Sequence, residues 1–550
     1  MTNFHDKVIY QIYPKSFKDT TGNGIGDLKG IIEKLPYLDE LGVDMLWLNP
    51  FYPSPQNDNG YDVADYTAID PMFGTWEDFD TLVQEADKRG ISLMLDMVLN
   101  HTSTEHEWFQ KALAGDKKYQ DYYLLREAQA DGSLPTNWES KFGGKAWSKF
   151  GDTDLYYLHL YDKTQADLDW RNPEVRQELY DAVNFWLEKG VKGLRFDVIN
   201  VIGKDEQLSD ADDGVGKKLY TDTPIVHEYI QELNRETFGK YDDVVTVGEM
   251  SSTTVKNGID YSHPDRDELS MIFSFHHLKV DYKDGDKWTK APFDFLELKK
   301  LLDEWQRGMN EGGGWNAVFW NNHDQPRANS RFGDVDNYPF ETATMLAQTI
   351  HFLSGTPFVY QGEEIGMTNP NFNKIDDYVD IESHNAYQEL KNRGMSEAEV
   401  MEIIQEKSRD NARTPMQWDD SKNAGFTDGT PWLKIPENYK ERNVESKRVS
   451  QSIRDYYKQL IQLRKEYKLI QEGSYESILL GHQSIYAYMR EYEGQKLLVL
   501  NHFYGDEAII DLPQHLLKKE ARYLLGNKGE RQLEEKFMMQ PYETVAFLLD

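Results

Sequence analysis

Short apolar runs alternate with longer amphipathic stretches over most of this 550-residue chain. The runs near 8–13, 44–48, 92–98, 193–199, 244–249, 270–275, 316–322 and 357–361 have strand length, and most are rich in branched and aromatic residues. Between them, apolar positions recur at helical spacing over 28–41, 76–88, 173–188, 225–236, 295–308 and 340–353. Eight strands alternating with helices predict an α/β fold, a (β/α)8 TIM barrel, whose working face lies at the C-terminal ends of the strands.

Two stretches interrupt the alternation. Residues 102–170 are rich in Trp, Tyr, Gly and Lys and show no clear long helix, which predicts an inserted subdomain after the third strand. Residues 366–450 form a second excursion with a polar helix near 396–408. From about 476 the period changes to two, with turn residues between short runs such as Ser-Ile-Tyr-Ala-Tyr-Met and Thr-Val-Ala-Phe-Leu-Leu. The expected division is a barrel of 1–101 and 171–475, an insertion of 102–170, and a C-terminal antiparallel β-sandwich domain of 476–550.

Three of the apolar runs lead into an acid: Gly-Leu-Arg-Phe-Asp (193–197), Val-Val-Thr-Val-Gly-Glu (244–249) and Trp-Asn-Ala-Val-Phe-Trp-Asn-Asn-His-Asp (315–324). A carboxylate at the end of a buried strand costs free energy unless it has a partner or a task. One such acid is most simply half of a buried ion pair. Three, with Arg195 and His323 beside two of them, point to a site built from Asp197, Glu249 and Asp324. Arg195 lies two residues before Asp197, so the two share a strand face. Retaining cleavage of a glycosidic bond needs a nucleophilic carboxylate and a carboxylic acid about 5–5.5 Å apart, a spacing that neighbouring strands about 4.8 Å apart can supply.

Composition narrows the substrates and partners. The 61 Lys and Arg against 95 Asp and Glu give a net charge of −34, which disfavours nucleic acid and anionic membranes. An anionic substrate would need a local cluster of cations. The absence of cysteine excludes disulfides and thiolate metal sites. The start, Met-Thr-Asn-Phe-His-Asp-Lys, has no apolar signal-like core, and no stretch reaches the length of a membrane span. A cytoplasmic monomer is expected.

Asp-Met-Val-Leu-Asn-His (96–101), Gly-Leu-Arg-Phe-Asp-Val-Ile-Asn (193–200), Val-Gly-Glu (247–249) and Asn-His-Asp-Gln-Pro-Arg (322–327) resemble, in order, the four signature segments of the α-amylase superfamily (glycoside hydrolase family 13), within its oligo-1,6-glucosidase and phosphotrehalase branch. The resemblance covers nearly the whole chain. It implies Asp197 as nucleophile, Glu249 as acid/base and Asp324 as transition-state stabiliser. It also implies that His101 and His323 donate to sugar hydroxyls, that Tyr61 stacks under the ring, and that Asp62 pairs with Arg413 to close the pocket. Asp96 is expected to order the site. A closed pocket means an exo-acting α-glucosidase. Val198 beside the nucleophile is similar to branches acting on α-1,6 or α-1,1 links. No catalytic cofactor is implied.

The segment Phe-His-His-Leu-Lys-Val-Asp-Tyr-Lys-Asp-Gly-Asp-Lys-Trp-Thr-Lys (275–290) carries Lys279, Lys283, Lys287 and Lys290 in a strongly acidic chain. Its first half resembles the phosphotrehalases and implies a small phosphorylated disaccharide, trehalose 6-phosphate, as substrate. Lys279 and Lys290 are the expected phosphate ligands, with His277 or Lys141 as helpers; interleaved Asp281, Asp284 and Asp286 allow a solvated, salt-bridged loop instead. An oligo-1,6-glucosidase acting on isomaltose-like ends is the alternative. A transferase or isomerase, a non-catalytic relative and an endo-amylase are less well matched by these residues. Finally, Asp19-Thr-Thr-Gly-Asn23-Gly-Ile25-Gly-Asp27 has oxygen ligands at alternating spacing, like a loop for structural Ca²⁺ or Mg²⁺ held by Asp19, Asn23, the Ile25 carbonyl and Asp27. A Gly-rich turn with Asp side chains on backbone amides is the equal alternative.

Overall fold

A computed structural model describes residues 3–517 and 520–549. Eight parallel strands form the barrel: β1 (Ile9–Ile12), β2 (Met45–Leu48), β3 (Ser92–Met97), β4 (Gly193–Phe196), β5 (Val245–Glu249), β6 (Met271–Phe273), β7 (Ala317–Val318) and β8 (Thr356–Tyr360). They pair in the order β6-β5-β4-β3-β2-β1-β8-β7. A single parallel bridge between Ile272 and Asn316 closes the barrel between β6 and β7. β7 is only two residues long where the sequence suggested seven, because Phe319–Asn322 leave the ladder to form the approach to the site.

Each strand is followed by a helix: α1 (Leu28–Leu41), α2 (Trp76–Asp87), α3 (Pro173–Glu188), α4 (Pro224–Glu236), α5 (Val255–Ser262), α6 (Phe295–Gly312), α7 (Pro339–His351) and α8 (Val449–Glu466). Local chemistry sets their ends. Thr75 and Asp78 form a capping box on α2, and Asn172 caps α3 ahead of Pro173. Asp294 starts α6 and Gly313, at φ 75°, stops it. α5 and α8 carry no helix in the sequence reading, although α8 buries Ile453, Tyr456, Tyr457, Leu460 and Ile461 at helical spacing.

After β3 the chain makes short helices Glu107–Leu113 and Lys117–Gln120 and small antiparallel ladders, including a three-stranded one from 125–127, 147–149 and 155–158. After β8 an excursion carries helices Ile381–Asn392 and Glu397–Lys407. The C-terminal part is antiparallel: β9 (Ser474–Ile478), β10 (Ile485–Tyr492), β11 (Gln495–His502), β12 (Ala508–Asp511), β13 (Ala521–Gly526), β14 (Lys536–Met539) and β15 (Thr544–Leu549). Five of these form one sheet, in the order β9-β10-β11-β15-β13, and β12 pairs with β14. The two-residue period divides the work. Ile485, Ala487 and Met489 face the β12–β14 ribbon, while Tyr486 and Tyr488 join the core that is continuous with the barrel. No helix among the described residues is long and apolar enough to cross a membrane.

Candidate active site

The barrel register brings the charged residues together. Asp96 on β3 lies opposite Arg195 on β4, and Arg195 opposite Val247 on β5. Phe196 pairs with Gly248, so Asp197 and Glu249 extend adjacent strand ends about 4.8 Å apart. Arg195 is fully buried, and its guanidinium donates to Asp96 at 2.8 Å, to Asp197 at 2.7 Å and to Glu249. One rigid fork therefore orients three carboxylates, which a lysine point charge cannot do. Trp47 lies under the guanidinium, with its ring centroid 5.0 Å away.

A chain of hydrogen bonds fixes the floor. Gln11 donates to Asn49 at 2.9 Å, Asn49 to the Tyr61 hydroxyl at 2.7 Å, and Tyr61 to Asp96 at 2.8 Å. Gln11 also meets Nδ1 of His323 at 3.0 Å, which leaves Nε2 facing Asp324 at 3.2 Å. Burial pushes the His323 imidazole down to about 3, so the ring is a neutral hydrogen-bonding group at physiological pH. The Tyr61 and His323 rings stack at 5.1 Å and 6°. His101 is buried, with Nε2 at 3.1 Å from the Tyr61 carbonyl, and also lines the cavity. Val198, a branched residue, sits at φ 38° immediately after Asp197. Such backbone strain is retained where the surroundings impose it, and here it turns the chain sharply under the carboxylate.

The three acids differ electrostatically. Burial raises Glu249 well above the usual carboxylate range; Arg195 opposes this, and Asp197 and Asp324 add to it. Burial also disfavours the Asp324 charge, but the adjacent His323 ring, as a hydrogen-bonding neighbour, and the permanent charges of Arg409 and Arg413 outweigh it and hold that carboxyl well below its usual range. The floor thus holds a carboxyl biased to keep its proton near one biased to lose it, the division that acid–base chemistry on a sugar requires.

The structure corrects the expected closure of the pocket. Asp62 does not meet Arg413. Its carboxylate accepts from Ser54 at 3.0 Å and from the amides of Asn57 and Asp58 at 2.8 and 3.0 Å, which fixes the turn before Tyr61. Asp58, four residues earlier, faces the cavity and pairs with Arg409 at 3.0 Å. Arg409 also meets Asp380 at 2.6 Å and Asp324 at 3.4 Å. Arg413 instead holds Asp324 at 3.0 Å and the His323 carbonyl at 2.8 Å. Sequence reasoning missed Asp58 and Arg409; the signal was a second arginine in Ser-Arg-Asp-Asn-Ala-Arg, one helical turn before Arg413.

The lysines also separate. Lys290 is not at the cavity: it is exposed and pairs with Glu402 at 3.0 Å and Glu406 at 3.7 Å, which excludes it as a phosphate ligand in this arrangement. His277 is buried with Nε2 on the Phe319 carbonyl at 2.8 Å, so it does not help either. Lys287 lines the cavity but is neutralised by Glu382 at 2.7 Å. Asp281 is taken up by Arg331 and Lys407, and Asp286 by Arg393, so the interleaved acids do not neutralise Lys279. Lys279 is exposed and has no ion pair among the described residues; the protein around its stem, then Lys217 and Lys287, lower it from the usual lysine value. Lys141 lines the cavity, and burial, then Lys217 and Lys279, push it down to about 7.

In the 19–27 loop, Asp19 accepts the amides of Thr21, Gly22 and Gly24 at 2.8–3.1 Å and the Thr427 hydroxyl. Asp27 accepts the Thr20 amide at 2.9 Å and caps α1 through Gly30 at 2.7 Å; Asn23 accepts the Ile25 amide at 2.9 Å. The carboxylates thus act as turn and helix caps, and no group of three His, Asp or Glu poised for a metal occurs among the described residues. Asp19, Asn23 and Asp27 of the expected Ca²⁺ or Mg²⁺ set (with the Ile25 carbonyl) thereby place on backbone amides the same oxygens that such a set would offer a cation.

Asp58, Tyr61, Asp197, Glu249 and Asp324 surround a cavity of about 170 Å³ at the C-terminal face of the barrel. Room for a single small ring, with paired carboxylates at its floor, marks a barrel enzyme of the glycoside hydrolase class. Residues 11–473 match the family model described as the α-amylase catalytic domain, and 485–546 match the α-amylase SusG C-terminal domain. The chain belongs to the α-amylase family. It is 54% identical to trehalose-6-phosphate hydrolase of Bacillus subtilis (strain 168), over 98% of this chain and 97% of that one. It is 49% identical to oligo-1,6-glucosidase of Parageobacillus thermoglucosidasius, over 98% of each. The crystal structure of Bacillus licheniformis trehalose-6-phosphate hydrolase superposes with a TM-score of 0.95 at 53% identity, covering 99% of both chains.

Proposed function

We propose that this chain hydrolyses trehalose 6-phosphate to glucose and glucose 6-phosphate with retention of anomeric configuration. The observation that carries the choice of substrate is Lys141, which lines the cavity without an ion pair among the described residues; Lys279, on the segment after β6, is likewise unpaired. Similarity to trehalose-6-phosphate hydrolases supports the reading; an oligo-1,6-glucosidase has no anion to place there.

In this mechanism the unphosphorylated glucosyl ring enters the floor, stacks on Tyr61 and is held by Asp58, Arg409, His101 and His323. The phosphate stays at the mouth, because the acids of the floor repel it. Asp197 attacks the anomeric carbon while Glu249 gives its proton to the departing oxygen of glucose 6-phosphate. Asp324 favours the positively charged ring of the transition state. Water, deprotonated by Glu249, then releases glucose from Asp197. Arg195 orients both carboxylates throughout. The phosphorylated substrate does not cross a bilayer unaided, which puts the reaction in the cytoplasm, and one chain contains the whole site, as a monomer requires.

The test is hydrolysis of trehalose 6-phosphate, trehalose and isomaltose by the purified enzyme. A preference of at least tenfold in kcat/KM for the phosphorylated sugar is expected. Faster turnover of isomaltose overturns the reading.

A further inference from the structure

Asp58 faces the cavity from one loop and Arg409 from another, 351 residues further along the chain, yet the two meet at 3.0 Å. The turn after β1 touches both loops. Residues Pro14–Ser16 form a short 3-10 turn there, and the Gly26 amide donates to the Lys15 carbonyl at 2.8 Å. An added Cβ at Gly26 would fall 2.0 Å from the Pro14 carbonyl oxygen, so this close approach requires glycine.

Lys15 reaches the Asp58 loop. Its ammonium donates to the side-chain oxygens of Gln56 at 3.1 Å and Asn59 at 3.0 Å. These two residues flank Asn57 and Asp58, and both sit at positive φ, 65° and 47°. Such conformations cost free energy for a residue with a Cβ and persist where the surroundings impose them. Asp62 holds the same loop through the amides of Asn57 and Asp58; Lys15 holds it through side chains. Lys15 makes no ion pair among the described residues, and its ammonium lies 4.3 Å from the Trp432 ring centroid. The neighbouring Ser16 reaches the Arg409 loop. Its hydroxyl donates to the Arg413 carbonyl at 2.6 Å and accepts from the Trp432 indole at 2.9 Å. Arg413 directly follows the 3-10 turn Arg409–Ala412, and its amide donates to the Asp410 carbonyl at 3.0 Å. Ser16 thus fixes the end of the segment that carries Arg409. Adjacent residues of one turn grip the two loops whose charges must meet.

We propose that Lys15 is a positioning residue for the glucosyl pocket: bridging Gln56 and Asn59, and aided by Ser16, it sets Asp58 opposite Arg409. This role presupposes that Asp58 and Arg409 hold the glucosyl ring, as proposed above, and does not depend on the phosphate. A lysine ammonium has three donors and no acceptor, which suits it to span two amide oxygens on either side of a strained turn. Without it, Gln56 and Asn59 relax toward negative φ, and the peptide between them turns Asp58 away from Arg409. Gln165, which donates to the other Asp58 oxygen at 3.0 Å, still tethers the carboxylate and limits the loss.

The experiment measures kcat and KM of Lys15→Met, Lys15→Arg, Gln56→Ala, Asp58→Ala and the combination of Lys15→Met with Asp58→Ala, on p-nitrophenyl α-glucoside and trehalose 6-phosphate, well below the Tm of each variant. Lys15→Met, which can still pack on Trp432, is expected to lower kcat/KM about tenfold on both substrates alike, in keeping with loss of two hydrogen bonds from a charged donor. Lys15→Arg restores most of the loss. Gln56→Ala gives a smaller loss of the same kind and keeps the test open if Lys15→Met does not fold. In the Asp58→Ala background, Lys15→Met should lower kcat/KM less than twofold further, the non-additivity of residues that act as one unit. A lysine that merely stabilises the fold would lower Tm and multiply its effect with that of Asp58→Ala. That result, or unchanged kcat/KM in Lys15→Met, overturns the role of Lys15. If Asp58→Ala itself leaves kcat/KM unchanged on both substrates, the proposed placing of the glucosyl ring fails, and this inference with it.

Discussion

The floor and the mouth of the pocket handle charge in opposite ways. On the floor, Arg195 spans Asp96, Asp197 and Glu249, while Arg409 and Arg413 share Asp324. Toward the mouth, Lys141 lines the cavity and makes no ion pair among the described residues, and Lys279 after β6 makes none either. A floor whose carboxylates are each held by a guanidinium is ordered before substrate arrives, and preorganisation of this kind is what stabilises a developing charge. A mouth with uncompensated charge is complementary to something that has not yet bound. The floor belongs to the bond-breaking step and the mouth to the choice of leaving group.

That contrast can be broken most forcefully at the floor. Asp197→Asn is expected to lower kcat on the order of 10⁴-fold, and equally on trehalose 6-phosphate and p-nitrophenyl α-glucoside, because it removes the nucleophile. A loss confined to the phosphorylated sugar would move Asp197 out of that role. Next in size is the comparison of Asp58 with Asp62. Asp58→Ala should reduce kcat/KM on both substrates by on the order of 10- to 100-fold with little change in Tm. Asp62→Ala should lower Tm, since it strands three donors, of which the buried Asp58 amide costs about 1–3 kcal/mol and the more exposed Ser54 hydroxyl and Asn57 amide cost less. Activity loss without thermal destabilisation in Asp62→Ala would restore it as a substrate ligand.

At the mouth the effects are smaller and selective. Lys279→Ala should raise KM for trehalose 6-phosphate about 10- to 100-fold more than for the aryl glucoside; equal changes would remove Lys279 from the phosphate site. A pH series sharpens the same point. Lysine carries its charge below its pKa and loses it above. With Lys141 near 7 and Lys279 lowered from the usual lysine value, kcat/KM for the phosphorylated sugar should fall, relative to the aryl glucoside, as pH rises from about 7 to 9. A constant ratio over that range would mean these ammonium groups do not contact the phosphate. The smallest effect is at Lys290, whose exposed pairs with Glu402 and Glu406 are of the kind that contributes about 1 kcal/mol or less. Lys290→Ala should change KM for either substrate less than twofold, and a selective increase would return it to the phosphate site.

The sequence by itself determined the barrel, because each strand and most of its helices announce themselves through a period of two or 3.6 residues, and it placed Arg195 and Asp197 on one face of β4 by the same rule. It also located the acids at strand ends, where the barrel must gather them. The helix α8 was legible in the same way, through Ile453, Tyr456, Tyr457 and Leu460, but its charged exterior and the loop before it obscured the pattern. What the tertiary structure alone decided was which loop charge meets which. Asp58 and Arg409 are 351 residues apart, and nothing local distinguishes Asp58 from Asp62. The lysines after β6 look alike in sequence; only the folded excursions show that Lys290 and Lys287 face acids while Lys279 makes no ion pair among the described residues. Local periodicity propagates along one element, but a pocket mouth is assembled from several loops, and the partner of each charge is fixed only when those loops are packed together.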